Sequence, residues 1–257
     1  RLGANLNEQM AGLLHDISHT AFSHVIDLVI GDPSKEDYQD NVFFEILEKS
    51  EIPSILERYG FDVEKIADLE SFTLLEKDAP SLCADRIDYT LRELVNLGCI
   101  GKVKFLIENL ISVDGQIAFK TRESAEYFGR SYAKLQREYW TDNETRARYH
   151  ILAEILKIAI DEGHIAIEDL HKKDGEIINI LKNTNNSQIL EGLNKLKNGF
   201  TIKETEEENN GFAIKKKFRY VDPEVYVDGK LMNLSSISKR YKKLLEEEKE
   251  HSKRLIK

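Results

Sequence analysis

Apolar positions recur along this chain mainly at helical spacing. Residues 6–30 read as two helices joined near Ser18–Ala21, and Asp32-Pro33 closes that stretch with a turn. Val42, Phe43, Ile46 and Leu47 predict a helix over 41–49. Short helices follow at 51–59 and 63–72, with Gly60 as the break after the first. Pro80-Ser81 precedes a helix that runs to about Asn96, and Gly98 and Gly101 then interrupt the chain. A further helix is expected over 104–110. Residues 123–139 and 143–161 carry longer helical patterns. The first has Ala125, Tyr127, Phe128 and Tyr132 on its core face, and the second Leu152, Ile155, Leu156 and Ile158.

Two stretches change character. In LISVDGQIAFK (110–120) and VYVDGKLM (225–232) an Asp-Gly pair stands between β-formers, which is the short hairpin signal. Residues 165–196 read as small helices around Asp174-Gly175 and 183–186. ETEEENN (204–210) reads as a solvated acidic loop, and AIKKKFRY (213–220) as a basic edge strand guarded by lysines. From Ser235 the chain is a charged helix. Leu244, Leu245, Leu255 and Ile256 are too sparse for a coiled coil, so it is read as a packed helix or a homo-oligomer contact. The fold class is mainly α, with small β-hairpins in the C-terminal half. The expected division is a helical core over 1–162 and an accessory region over 163–257.

Composition narrows the class. With 257 residues, 41% hydrophobic and 32% charged, the chain has the balance of a folded domain with a substantial core. A net charge of −9 argues against broad nucleic-acid binding. Two cysteines, Cys83 and Cys99, suggest no disulfide framework, and a reducing cytoplasm is expected. No apolar run approaches the roughly 18 residues that span a bilayer, so no membrane partner is expected.

The candidate chemistry concentrates in two places. LLHDISHTAFSHVID (13–27) holds three of the seven histidines with two aspartates: His15, Asp16, His19, His24 and Asp27. An apolar run, Met10 to Leu14, leads into His15-Asp16 as a buried helix leads to a core-edge site. Imidazole and carboxylate together suit a divalent transition metal better than magnesium alone. The bland reading of a single such histidine is a satisfied core residue. The cluster resists it, because buried ionisable groups must be paired or bind something. In LCADRIDYTLRE (82–93), Asp85, Asp88 and Arg92 share one helix face, with Tyr89 beside them. Ordinary surface charge pairing would account for Asp88 and Arg92. His150 is read as structural, and His164 and His171 as surface residues.

These two motifs, in this order, resemble the HD-domain metal-dependent phosphohydrolases, most closely the deoxynucleoside triphosphate triphosphohydrolase-like branch. The resemblance implies a helical HD core and a divalent ion (manganese, iron, nickel, cobalt, zinc or magnesium) held by His15, Asp16 and Asp85. It places His19, His24 and Asp27 on the phosphate and proton-transfer side; His19 is read here as the proton-transfer group, oriented by Asp27 across the loop. Arg86 would face phosphate, and Tyr89 and Glu93 a sugar; Arg92 is read as joining Arg86 in neutralising charge that develops on the phosphoryl group. The implied partner is a small phosphorylated substrate, a nucleotide or similar phosphate ester. A nucleotide-sensing or scaffold module without turnover is the alternative. The family's first metal-binding His lies upstream of the HD pair; no His precedes His15 here and the first residue is Arg, so a start further upstream is expected. Ser18 and Thr20-Ala21 stand where the family carries glycines and a proline, and no His occurs between His24 and His150.

Overall fold

A computed structural model describes residues 1–32, 35–202 and 219–252. The chain opens with α1 (Leu6–Leu14), capped by Asn5, whose side chain accepts the Glu8 N–H at 2.9 Å. A 3-10 turn at Ser23–Val25 leads into α2 (Ile26–Val29). Then come α3 (Tyr38–Lys49), α4 (Ile52–Arg58), α5 (Val63–Ala67), α6 (Ala84–Asn96) and α7 (Ile100–Asn109). Strands β1 (Leu110–Val113) and β2 (Gln116–Phe119) precede α8 (Arg122–Leu135), a π-helical turn at Gln136–Trp140, and α9 (Asn143–Asp161). Next are α10 (Asp174–Lys182), α11 (Ser187–Asn198), β3 (Glu224–Val227), β4 (Lys230–Asn233), α12 (Leu234–Ile237) and α13 (Lys239–Ser252). The fold is mainly α with one small sheet. Among the described residues, no helix is long and apolar enough to cross a membrane.

Several boundaries differ from the sequence expectation. The second helix of 6–30 shrinks to the single turn α2, because Phe22 and Ser23 take left-handed backbone (φ 62° and 50°) and stop helix growth before it. The helix expected over 63–72 ends at Ala67, where Asp68 leaves helical backbone. Gly98 breaks the chain with φ +80°, but Gly101 lies inside α7, which starts at Ile100. The acidic loop at 204–210 and most of the basic strand at 213–220 lie outside the described residues.

The described residues gather into two compact units, each assembled from separated stretches. One takes Arg1–His15, Glu51–Trp140 and residues 219–252; the other takes Asp16–Ser50 and residues 141–202. The expected division between 162 and 163 falls inside the second unit.

In the first unit the two Asp-Gly hairpins form as expected. Asp114 and Gly115, and Asp228 and Gly229, have positive φ at both central positions, as a type I′ turn requires. The hairpins also join: β2 pairs with β3 in parallel, Phe119 opposite Val225, giving a four-stranded sheet in the order β1-β2-β3-β4. Phe119, Phe128, Leu106, Leu135 and Tyr241 are almost fully buried in this core. The C-terminal helix is therefore a packed helix. Tyr241 on α13 donates its hydroxyl to Val221 O at 2.7 Å and seats its ring where α8 has Gly129. In the second unit α9 and α11 pack through Ile155 and Gly192, around a core of Ile26, Leu156, Leu170, Ile177 and Ile189.

Candidate functional site

In the first unit the site begins with three segments that dock in series. Glu8, buried on α1, accepts the Leu74 N–H at 2.8 Å, and Leu75 packs on Gly12. Leu74 O and Leu75 O in turn accept the N–H groups of Ala84 (2.7 Å) and Asp85 (3.3 Å) at the start of α6. The first turn of α6 is thereby fixed to the end of α1. A carboxylate in that turn also faces the positive end of the helix dipole. As a result His15 Nε2 lies 3.3 Å from Asp85 Oδ1, across seventy residues of sequence.

His15 is not inside a helix, as the sequence pattern suggested, but caps the C-terminus of α1, its N–H on Ala11 O at 2.8 Å. Its Nδ1 lies 2.8 Å from Gly12 O. A carbonyl oxygen only accepts, so Nδ1 carries the proton there. In the neutral ring Nε2 then turns a lone pair toward the Asp85 carboxylate. Two electron-rich atoms facing each other fit a proton or a metal cation between them. This donor set, an anchored imidazole and a half-buried carboxylate, fits a divalent ion.

Two further groups converge on Asp85. Ligand atoms of Glu76, Cys83 and Asp85 lie within 4.8 Å of one another. Glu76 is exposed as a residue, but loss of water around its carboxyl and the adjacent Asp85 charge push it up to about 7. Cys83 is fully buried, which pushes its thiol up to about 11. Sequence reasoning missed Glu76; the available signal was an acidic side chain directly after the buried pair Leu74-Leu75.

The remaining α6 residues are placed as follows. Arg86 Nη1 donates to Lys77 O (3.1 Å) and Ser81 O (2.7 Å) and to Cys83 Sγ. Tyr89 shares a hydroxyl–hydroxyl bond of 2.9 Å with Tyr132, and Trp140 meets both rings edge-on. Arg92 Nε donates to exposed Asp88 at 2.8 Å, the i,i+4 surface pair that the bland reading described. Glu93 is half-buried on the same helix.

The second unit begins with Asp16, one peptide bond after His15, and holds the two further histidines on an irregular turn. His19 Nε2 lies 3.2 Å from Asp16 Oδ1, and His24 Nδ1 lies 3.5 Å from Asp27 Oδ2. The expected orientation of His19 by Asp27 is therefore corrected. Asp27, buried, is positioned toward His24 by the Tyr38 N–H at 3.2 Å and lies against Gly31. The His19 and His24 rings meet edge to face, 5.4 Å between centroids. Among the described residues Ser18 Oγ, His19 Nδ1 and His24 Nδ1 are buried without a hydrogen-bond partner, the His24–Asp27 approach being an ion-pair contact only, the condition of polar atoms that await a ligand or water. His150 is half-buried on α9, and burial lowers its pKa. His164 pairs with Glu162 at 3.0 Å, and His171 stacks on Tyr38.

Comparison with known proteins adds relatives to this geometry. No protein-family profile matches the chain. It is 38% identical to the uncharacterized protein YdhJ of Bacillus subtilis over 95% of this chain and 75% of that protein. It is 29% identical to the metal-dependent phosphohydrolase cns2 of Cordyceps militaris, over 89% of this chain and 68% of that one. A crystal structure of a phosphohydrolase from Bacteroides thetaiotaomicron superposes with a TM-score of 0.54 at 18% identity. That match covers 79% of this chain and spans 60% of the length of the solved one, and it bears on the fold alone.

Proposed function

The chain belongs to the family of Bacillus subtilis YdhJ, and from the site geometry and the relationship to a metal-dependent phosphohydrolase we propose that it is an HD-type metal-dependent phosphohydrolase. His15, Asp16 and Asp85 hold one divalent ion: manganese, iron, nickel, cobalt, zinc or magnesium. The observation that carries the reading is the His15 Nε2–Asp85 Oδ1 apposition with Nδ1 tied to Gly12 O. The relationship to a metal-dependent phosphohydrolase supports it. The substrate is a nucleotide or a similar small phosphate ester, and the triphosphohydrolase-like branch remains the finer proposal.

When bound, such an ion lowers the pKa of a water and polarises a phosphoryl oxygen. The chain's own groups do the rest. Asp16, 3.2 Å from His19 Nε2, would hold that ring, and His19 moves the proton. His24, beside Asp27, supports the phosphate. Arg86 supplies positive charge beside Asp85, Arg92 adds more at the exposed end of the α6 face, and Tyr89 and Glu93 meet the sugar.

The test is a screen of phosphorylated compounds against the full chain with each candidate metal, beside metal analysis of the purified protein. Hydrolysis that needs the ion and is lost in Asp85→Ala is the expected result. A chain that retains metal through Asp85 but hydrolyses nothing acts instead as a sensor or scaffold.

A further inference from the structure

The turn that carries His19 and His24 is built from residues ill suited to it. Ser23 N–H closes on Thr20 O at 2.9 Å, with Thr20 Oγ on Ser23 O at 3.2 Å. Inside it Phe22 and Ser23 both sit in the left-handed region, which favours glycine or asparagine. Such backbone persists only where surrounding contacts hold it. Among the described residues two hydrogen bonds from outside the turn reach it, beside the packing of Phe22 on the core of the second unit, and both hydrogen bonds come from the stretch just before and at the start of α10. Ala21 N–H donates to Leu170 O at 2.6 Å, and Phe22 N–H donates to Asp174 Oδ1 at 3.0 Å.

Asp174 is free for this task. It is the first residue of α10, yet the end of that helix is tied by a different side chain, since Glu176 Oε2 accepts the Lys173 N–H at 3.2 Å. The carboxylate of Asp174 instead reaches back 152 residues to the strained turn. We propose that Asp174 is a positioning residue of the reaction: by fixing the Phe22 N–H it sets the left-handed turn that holds the His19 and His24 rings edge to face. Its consequence for turnover rests on the phosphohydrolase reading above; its consequence for the turn does not.

The experiment compares Asp174→Ala, Asp174→Asn and Glu176→Ala in the full chain. Asparagine keeps an acceptor oxygen, and Glu176→Ala perturbs the same helix end without touching the turn. A lost charged hydrogen bond is worth about tenfold in an equilibrium. Phe22 amide exchange in Asp174→Ala should therefore quicken about tenfold, with loss of the ring-to-ring nuclear Overhauser effect between His19 and His24. Asp174→Asn should keep both signals, and Glu176→Ala should lower Tm while keeping both. On a hydrolysed substrate Asp174→Ala should lower kcat about tenfold with KM and bound metal unchanged, and Asp174→Asn should restore it. The proposal is overturned by unchanged exchange and ring contact in Asp174→Ala, by equal loss in Glu176→Ala or Asp174→Asn, or by full kcat once the turn has loosened. If the wild-type chain hydrolyses nothing, the phosphohydrolase reading fails by itself, and exchange and ring contact still decide whether Asp174 holds the turn.

Discussion

The first unit and the second hold their functional groups in opposite ways. In the first, His15 and Asp85 sit at helix ends, where capping and the helix dipole already favour them. In the second, His19 and His24 sit on a turn with two left-handed residues that local preference opposes. The first pair is held by regular structure docked through Leu74, Leu75 and Gly12. The second depends on contacts from residues 170–174, far along the chain. Regular elements fix the His15–Asp85 pair through docked backbone, whereas the strained turn sets two rings edge to face.

The sharpest way to break this comparison is to remove the carboxylate of the first pair. Asp85→Ala should abolish metal retention if Asp85 is the ligand proposed above, whereas Asp88→Ala should change it little, since Asp88 is exposed and serves Arg92. Elemental analysis after dialysis reads both, and the reverse order would shift the ligand by one helical turn.

Next in size is the second pair. His19→Ala should lower kcat by about 10²- to 10⁴-fold and leave the ion bound, the range of general acid–base help. His150→Ala should change Tm more than rate. Full activity in His19→Ala would remove its proton-transfer role.

The units can also be perturbed one at a time. A Cβ on Gly129 would overlap the Tyr241 ring, and one on Gly192 would overlap Ile155. Each alanine should cost about 1–3 kcal/mol of stability. Hydrogen exchange should rise first in the sheet core for Gly129→Ala and in α9 and α11 for Gly192→Ala. Uniform loss across both units in either variant would mean that they unfold together.

The smallest effect concerns Glu76. Its folded pKa is raised to about 7. Below its unfolded value of about 4.3 both states are protonated, and the folded state's tighter proton hold is fully present. That stability fades as pH rises from there through about 7. Glu76→Gln should therefore raise the Tm of the metal-free chain more at pH 8 than at pH 5, by on the order of 2 °C. Equal shifts at the two values would contradict the raised pKa that burial and the Asp85 charge give Glu76.

Much of this molecule was legible as a sequence. Helical periodicity marked the helices over 41–49, 123–139 and 143–161, and Asp-Gly marked both hairpins, since these are local patterns. The parallel pairing of β2 with β3 was not legible, because it joins residues more than a hundred positions apart without a local signal. At the site, the two motifs singled out His15 and Asp85, and the structure brings that pair together. The partner of His19 was misread. Asp27 was expected to reach His19 across the loop, whereas with Phe22 and Ser23 in left-handed backbone Asp27 lies beside His24 and His19 beside Asp16. Glu76 was invisible for a similar reason, since it reaches Asp85 only through the docking of residues 74–75.

The central claim is that His15 and Asp85 share a divalent ion. The most direct measurement is a crystal structure of the full chain grown with manganese or cobalt and recorded at that metal's absorption edge. The account predicts an anomalous peak about 2.0–2.3 Å from His15 Nε2 and from a carboxylate oxygen of Asp85. A fully loaded crystal with its peak elsewhere, or His15 and Asp85 apart with no metal between them, would contradict it.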